Sequence, residues 1–256
     1  MKKVLCVFLF SVLFVGIVCA QTTRVIAHRG YWKTEGSAQN SIASLKKADA
    51  IKVYGAEFDV LLTSDNVAVV NHDNALFGVA IQTTPYAKFK KLRLLNGEKL
   101  PTLEEYLKAG KKQKYVKLIL ELKPHATPER NREAARIVAD MVKKYGLVDR
   151  TEYITFDLDA GKELIRVSPR TPVSYLNGEL SPAQLKELGF AGLDYHYNVM
   201  KEHPEWFDEA KALGLTINIW TVNDSAMITE FVKKKADFLT TDEPEKALGI
   251  IRSIVE

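Results

Sequence analysis

Eight short β-rich runs, separated in most cases by amphipathic helical patterns, predict an α/β chain folded as an irregular (β/α)8 barrel. Three observations carry this. The runs recur along nearly the whole length. The patterns between them open on Ser, Thr, Asp or Pro, and several close at Gly, which are helix start and stop signals. One connection, after the second run, has no helix and makes the barrel irregular. A length of 256 residues suits a single domain of this kind, and a hydrophobic fraction of 46% is ample for its core. The same alternation leaves a doubly wound sheet open as the alternative.

The first twenty residues stand apart. Lys2 and Lys3 precede an apolar stretch from Val4 to Val18, broken only by Ser11 and Gly16, and Val18-Cys19-Ala20 offers small residues ahead of Gln21. This is the pattern of a signal peptide, residues 1–20, cleaved after Ala20. About 15 apolar residues fall short of the roughly 20 that span a bilayer. A lipoprotein held through Cys19 is a poorer fit, because Gly16-Ile17-Val18 precedes it. Cleavage removes Cys6 and Cys19, so residues 21–256 would use no disulfide, thiolate nucleophile or thiolate metal ligand. Losing Lys2 and Lys3 lowers the formal net charge from +4 to +2, too balanced to argue for nucleic acid. The expectation is an exported protein, periplasmic or secreted, without stable membrane insertion once cleaved.

The expected strands are Arg24–Ala27, Ala56–Val60, Val116–Leu120, Glu152–Phe156, Pro172–Leu176, Ala191–Asp194, Leu215–Trp220 and Asp237–Thr240. Helical patterns between them include "NSIASLKKADAIK", "TLEEYLKAGKK", "PERNREAARIVADMVKKYG", "SPAQLKELG" and "SAMITEFVKKK". After Val60 the chain reads "LLTSDNVAVVNHDN", two apolar runs around Asp65-Asn66, both of which tolerate positive φ. A two-residue turn there predicts a hairpin that sets His72 opposite Asp59. Residues 74–100 then form a small, polar, turn-rich insertion, expected to cap one side of the barrel mouth.

Chemistry in such a barrel sits at the C-terminal ends of the strands. Those ends deliver His28 and Arg29, then Glu57 and Asp59 on one face, His72 and Asp73 from the hairpin, Glu121 and Lys123, Trp220, Thr221 and Asn223, and finally Thr241, Asp242 and Glu243. Three carboxylates at one mouth repel unless a cation neutralises them, and oxygen ligands without thiolate favour Ca²⁺ or Mg²⁺. Salt bridges to Arg29 and Lys123 alone are the plainer reading. Two histidines beside such a site suit an acid and a base, and Arg29 with Lys123 suits an anion. The combination describes phosphoryl chemistry better than glycoside or peptide hydrolysis.

At these residues the sequence resembles the glycerophosphodiester phosphodiesterase family, over nearly all of residues 24–248. The matching pieces are "AHRG", "GAEFDVLLTSDNVAVVNHD", "LPTLEEYL", "LELK", "NIWTVN" and "FLTTDEP". Their order and spacing are together highly specific. The resemblance implies an irregular (β/α)8 barrel that hydrolyses glycerophosphodiesters to glycerol 3-phosphate and an alcohol. It implies His28 and His72 as the acid–base pair, Glu57, Asp59 and Glu121 as ligands of one divalent cation, Arg29 on the phosphate and Lys123 near it. It also implies that a glycerol hydroxyl serves as internal nucleophile, through a cyclic phosphate opened by water. One departure stands out: where the family has Pro-Glu-Asn-Thr, this chain has Ala38-Gln39-Asn40-Ser41. Gln39 keeps the reach of glutamate and loses its charge, which reads as tuning of cation or substrate preference.

Other residues have plainer alternatives. Trp220 either packs the barrel top or lines the glycerol pocket, and His196 either faces substrate or is structural. His125 and His203 read as structural or solvated, Asp73 as an orienting hydrogen-bond partner, and Asp242 as the cap of a helix starting near Pro244. Tyr31 and Trp32 are candidates for an aromatic rim. Two other functions remain in view: a non-catalytic phosphodiester-binding barrel, motivated by Gln39, and a phospholipase-type phosphodiesterase acting on intact lipid, for which Leu76, Phe77 and Phe89 offer scattered apolar surface.

Overall fold

The structure is a computed structural model and describes residues 22–255; the expected signal peptide lies outside the described residues. In chain order the elements are β1 (Arg24–Ala27), α1 (Ile42–Ala50), β2 (Gly55–Leu62), β3 (Ala68–Val70), β4 (Ala75–Leu76), β5 (Val79–Ala80), α2 (Leu103–Gly110), β6 (Lys117–Leu122), α3 (Pro128–Lys144), β7 (Thr151–Thr155), α4 (Leu158–Val167), β8 (Val173–Tyr175), α5 (Pro182–Glu187), β9 (Gly192–His196), α6 (Tyr197–Glu202), α7 (Trp206–Ala212), β10 (Thr216–Trp220), α8 (Ser225–Lys233), β11 (Phe238–Thr241) and α9 (Pro244–Val255). Strands β1, β2 and β6 to β11 run parallel and close into an eight-stranded barrel, because β1 pairs with both β11 and β2. The helices follow the local signals. Thr102 with Glu105 and Ser181 with Gln184 form capping boxes, Thr127 and Asp157 cap α3 and α4, and Pro128 opens α3.

Alternation along each strand divides the side chains. On β2, Ala56, Phe58, Val60 and Leu62 join the main core beneath the helices, which leaves Glu57 and Asp59 facing the barrel interior. A second apolar group, Ile26, Ile119, Ile154, Leu176 and Phe238, fills the barrel. The polar groups at the mouth therefore stand on a packed interior, where a side chain is held in one place.

The hairpin differs from the expected register. Strand β3 runs antiparallel to the end of β2 with Val60 opposite Val70 and Leu62 opposite Ala68, and Asn71 N–H donates to Asp59 O at 3.0 Å. Asn71, not His72, thus faces Asp59. The cause is the loop: Asn66 takes φ +64° and donates to Thr63 O at 3.1 Å, while Thr63 N–H donates to Val67 O at 3.0 Å. This is a three-residue connection, a turn followed by one left-handed residue, and the extra residue slips the pairing by one.

The segment 74–100 carries the β4–β5 ribbon and has its own small core. Leu76, Ile81, Phe89 and Leu100 pack on Leu61 and Val69 of the hairpin. It is also tied to α1, since the Glu98 carboxylate accepts from Ile42 N–H at 2.9 Å and Ala43 N–H at 3.0 Å. Negative charge at a helix N-terminus satisfies donors that the helix itself cannot.

Candidate active site

The end of β1 sets the geometry. His28 N–H donates to Thr241 O at 2.9 Å, binding this end to that of β11. Arg29 then adopts φ +54°, a strained conformation for an arginine, followed by Gly30 at φ +74°. A Cβ on Gly30 would stand 2.3 Å from Ser44 Oγ, so only glycine lets the turn pass α1. The strain is offset by bonds on both sides: Arg29 N–H donates to Glu57 Oε2 at 2.7 Å, and Arg29 O accepts from Asn40 N–H and Ser44 Oγ, each at 3.0 Å.

Glu57 and Asp59 of β2 and Glu121 of β6 are buried, and one oxygen from each lies within 4.8 Å of the others. Glu57 Oε1, Asp59 Oδ1 and Glu121 Oε1 accept no well-aligned hydrogen bond. Lys123 Nζ stands 2.9 Å from Glu121 Oε1 and 3.5 Å from Asp59 Oδ1. Burial, then repulsion from neighbouring carboxylates, holds Glu57 well above the usual range and pushes Glu121 up to about 8. Burial acts in the same direction on Asp59 but is outweighed by Lys123, His72, Asn40 and Arg29, which hold it below. On protein charges alone the negative charge therefore collects on Asp59. Three converging hard oxygens, short of donors and costly to ionise together, fit a divalent cation.

Asn40 is a residue whose role the sequence did not reveal. At φ +60° it donates from Nδ2 to Asp59 Oδ2 at 2.8 Å and accepts Asp59 N–H on Oδ1 at 3.0 Å. Its neighbour Gln39 accepts from Arg29 Nη1 at 2.6 Å. The departure at Gln39 thus bears on the guanidinium, while Asn40 next to it braces a member of the acidic triad. Arg29 Nε is buried without a hydrogen bond, 3.9 Å from Asp59 Oδ2, a donor available to an anion.

Both histidines are held by carboxylates through Nδ1. His28 Nδ1 lies 2.8 Å from Asp242 Oδ1, and His72 Nδ1 lies 2.7 Å from Asp73 Oδ1. Asp242 also accepts from Trp32 Nε1 at 3.1 Å and from Asn223 Nδ2 at 2.8 Å; burial raises it, but His28 first, then Asn223 and Trp32, hold it below the usual carboxylate range. Its role is thus to orient His28; the expected capping of α9 is corrected. A carboxylate on Nδ1 leaves Nε2 for proton exchange. Burial lowers His72, favouring its neutral form.

His28, Arg29, Glu57, His72, Glu121 and Lys123 line one cavity of about 110 Å³, with Phe156, Leu176 and Trp220 as its apolar wall and Asp194 among its lining residues. Trp220 packs edge-on against Phe156 and donates to Asp194 O at 2.8 Å, so it both packs and lines. His196 does not join the lining: it sits against Trp220 with ring centroids 5.1 Å apart, and its Nδ1 accepts Asn198 N–H. His125 is structural, its Nε2 accepting Leu62 N–H at 3.0 Å. His203 stacks on Trp206.

A parallel barrel with an acidic triad, two carboxylate-held histidines and two cations at one mouth defines a hydrolase-type phosphoryl site. Residues 28–246 match the model of the glycerophosphoryl diester phosphodiesterase family, and the chain belongs to that family. It is 58% identical to a glycerophosphodiester phosphodiesterase from Parabacteroides distasonis of known crystal structure, with a TM-score of 0.91 over 92% of this chain and 99% of that one. A phosphodiesterase from Oleispira antarctica, solved in complex with the product sn-glycerol-3-phosphate, is 25% identical, with a TM-score of 0.79 over 90% of this chain and 97% of that one. A glycerophosphodiester phosphodiesterase from Caldanaerobacter subterraneus is 26% identical over 247 residues, 90% of this chain and 98% of the relative.

Proposed function

We propose that the protein hydrolyses glycerophosphodiesters to sn-glycerol 3-phosphate and an alcohol, with His28 and His72 as acid and base and one divalent cation, Ca²⁺ or Mg²⁺, held by Glu57, Asp59 and Glu121. The observation that carries this is one cavity lined by two histidines, each tied at Nδ1 to a carboxylate, and by Glu57 and Glu121, whose buried oxygens converge with one of Asp59. Arg29 and Lys123 hold the phosphate oxygens. One histidine Nε2 takes the proton of the attacking hydroxyl as its oxygen bonds to phosphorus; the other gives a proton to the departing alcohol oxygen as that bond breaks. With a glycerol hydroxyl as first nucleophile the product is a cyclic phosphate, which water opens with the two roles exchanged. A bound divalent cation polarises the phosphoryl oxygens and neutralises charge developing on them.

Residues 1–20 act as the export signal in this reading, so residues 21–256 form the single catalytic domain outside the cytoplasm, periplasmic or secreted. The substrate is a small molecule, and the balanced charge supports neither nucleic acid nor a stable membrane association. A second reading, attack on intact phospholipid, draws on a groove beside the site lined by Trp32, Leu76, Phe77, Leu94 and Leu95, where Phe77 is 62% and Leu95 92% exposed. Comparing soluble glycerophosphodiesters with phospholipid vesicles separates the two. Release of glycerol 3-phosphate from the soluble panel alone supports the first, and release of phosphorylated product from vesicles alone supports the second.

A further inference from the structure

Asp194 stands apart from the groups just assigned. It lies on β9 between Leu193 and Tyr195, which belong to the outer core, so its side chain points into the barrel opposite Asn218 of β10. It is 2% exposed yet lines the same cavity as the histidines, Glu57 and Glu121. Its Oδ1 accepts no hydrogen bond, and among the described residues no lysine or arginine forms a salt bridge with it. It is also outside the set of carboxylates that converge as potential metal ligands. Burial, tempered by the Asn218 amide, pushes it up to about 7. A buried carboxyl with an idle acceptor is costly unless a ligand supplies the missing donor.

We infer that the part of the cavity around Asp194 is a subsite for the glycerol hydroxyl that does not attack phosphorus, with the Asp194 carboxyl as its acceptor and so a determinant of substrate specificity. The inference rests on the function proposed above. The phosphate is drawn to Arg29 and Lys123, and the carbon chain reaches from there along Phe156, Leu176 and Trp220, an apolar wall suited to C–H groups. A hydroxyl donor suits Asp194 better than a cationic head group does. Lys123 Nζ already stands 5.8 Å from the Phe156 ring centroid, which sets a positive charge against that wall. A site built around a hydroxyl discriminates sharply against an analogue lacking it, because the acceptor is then left unpaired.

The test is calorimetric titration of the cation-loaded protein with sn-glycerol 3-phosphate, n-propyl phosphate, inorganic phosphate and phosphocholine. The wild type is expected to bind sn-glycerol 3-phosphate at least about tenfold more tightly than n-propyl phosphate, and Asp194→Leu to erase that preference while leaving n-propyl phosphate affinity unchanged. Equal wild-type affinities for the two overturn the inference without any variant, which covers a substitution that fails to fold. So does a variant that weakens both ligands alike, or one whose selective loss is of phosphocholine. Failure of the wild type to release glycerol 3-phosphate from any diester, with the ligand preference intact, counts against the proposed reaction and leaves the subsite standing.

Discussion

His28 Nδ1 and Asp242 Oδ1 are 2.8 Å apart although 214 residues separate them in the chain. The barrel brings its first and last strand ends together, and Asn223 fixes the aspartate by donating to Oδ2 and accepting Asp242 N–H at 2.8 Å each. Replacing Asp242 by Asn removes the acceptor that sets the imidazole tautomer. We predict a fall in kcat of roughly 10²- to 10⁴-fold with KM little changed. Steady-state kinetics on a glycerophosphodiester checks this, and an unaltered kcat would remove Asp242 from the mechanism.

Gln39 offers a separate control on the phosphate. Gln39→Glu places a carboxylate against the Arg29 guanidinium, which competes with the substrate anion for it. The expected result is a rise in KM of about two- to fivefold, with kcat retained. Inhibition by inorganic phosphate weakens in parallel if Arg29 binds the phosphate; a variant with unchanged phosphate inhibition counts against that role.

Asn40 holds Asp59 by two hydrogen bonds. Asn40→Ala leaves that carboxylate free to turn and is expected to weaken divalent-cation affinity by roughly 10- to 100-fold. Titration calorimetry with Ca²⁺ and with Mg²⁺ reads this directly, and it ranks the two ions in the wild type. Retention of full cation affinity would show that Asn40 braces the strand and nothing more.

His125 makes stability depend on pH. Burial and then Arg130 push it down to about 4, and its Nε2 accepts Leu62 N–H. The fold therefore binds the neutral ring more readily than the unfolded chain does. Its contribution is complete above the unfolded value near 6.5 and is lost as pH falls through the window down to about 4, on the order of 3 kcal/mol in all. Urea unfolding of His125→Gln at pH 7 and pH 4.5 should show a shallower loss than the wild type. Identical pH dependence would contradict the assignment.

The barrel was legible because its signals are local. Thr102, Thr127 and Ser181 announce helix starts a few residues ahead, and the β-rich runs fall between them. Helix α6 was missed because six residues after β9 carry too little periodicity to read. The hairpin slipped by one because Asp65-Asn66 suits a two- or a three-residue loop equally, and only the left-handed turn at Asn66 decides between them. In the site, charged residues at strand ends could be read directly. The role of Asp242 could not, since its partners His28 and Trp32 lie at the other end of the chain. Asp194 closes the expected strand Ala191–Asp194, but "GLDYHYN" sets no second carboxylate beside it to mark it as part of the site.

The most direct test of the central claim follows sn-glycerol 3-phosphate release by the purified protein from a panel of glycerophosphodiesters, first with a chelator and then with Ca²⁺ or Mg²⁺ restored. The account predicts release that stops with the chelator, returns with the cation, and is lost in His28→Ala and His72→Ala variants that remain folded. No release by a folded wild type under any cation, with phosphodiester binding retained, would contradict it and leave a barrel that binds its ligand without turning it over.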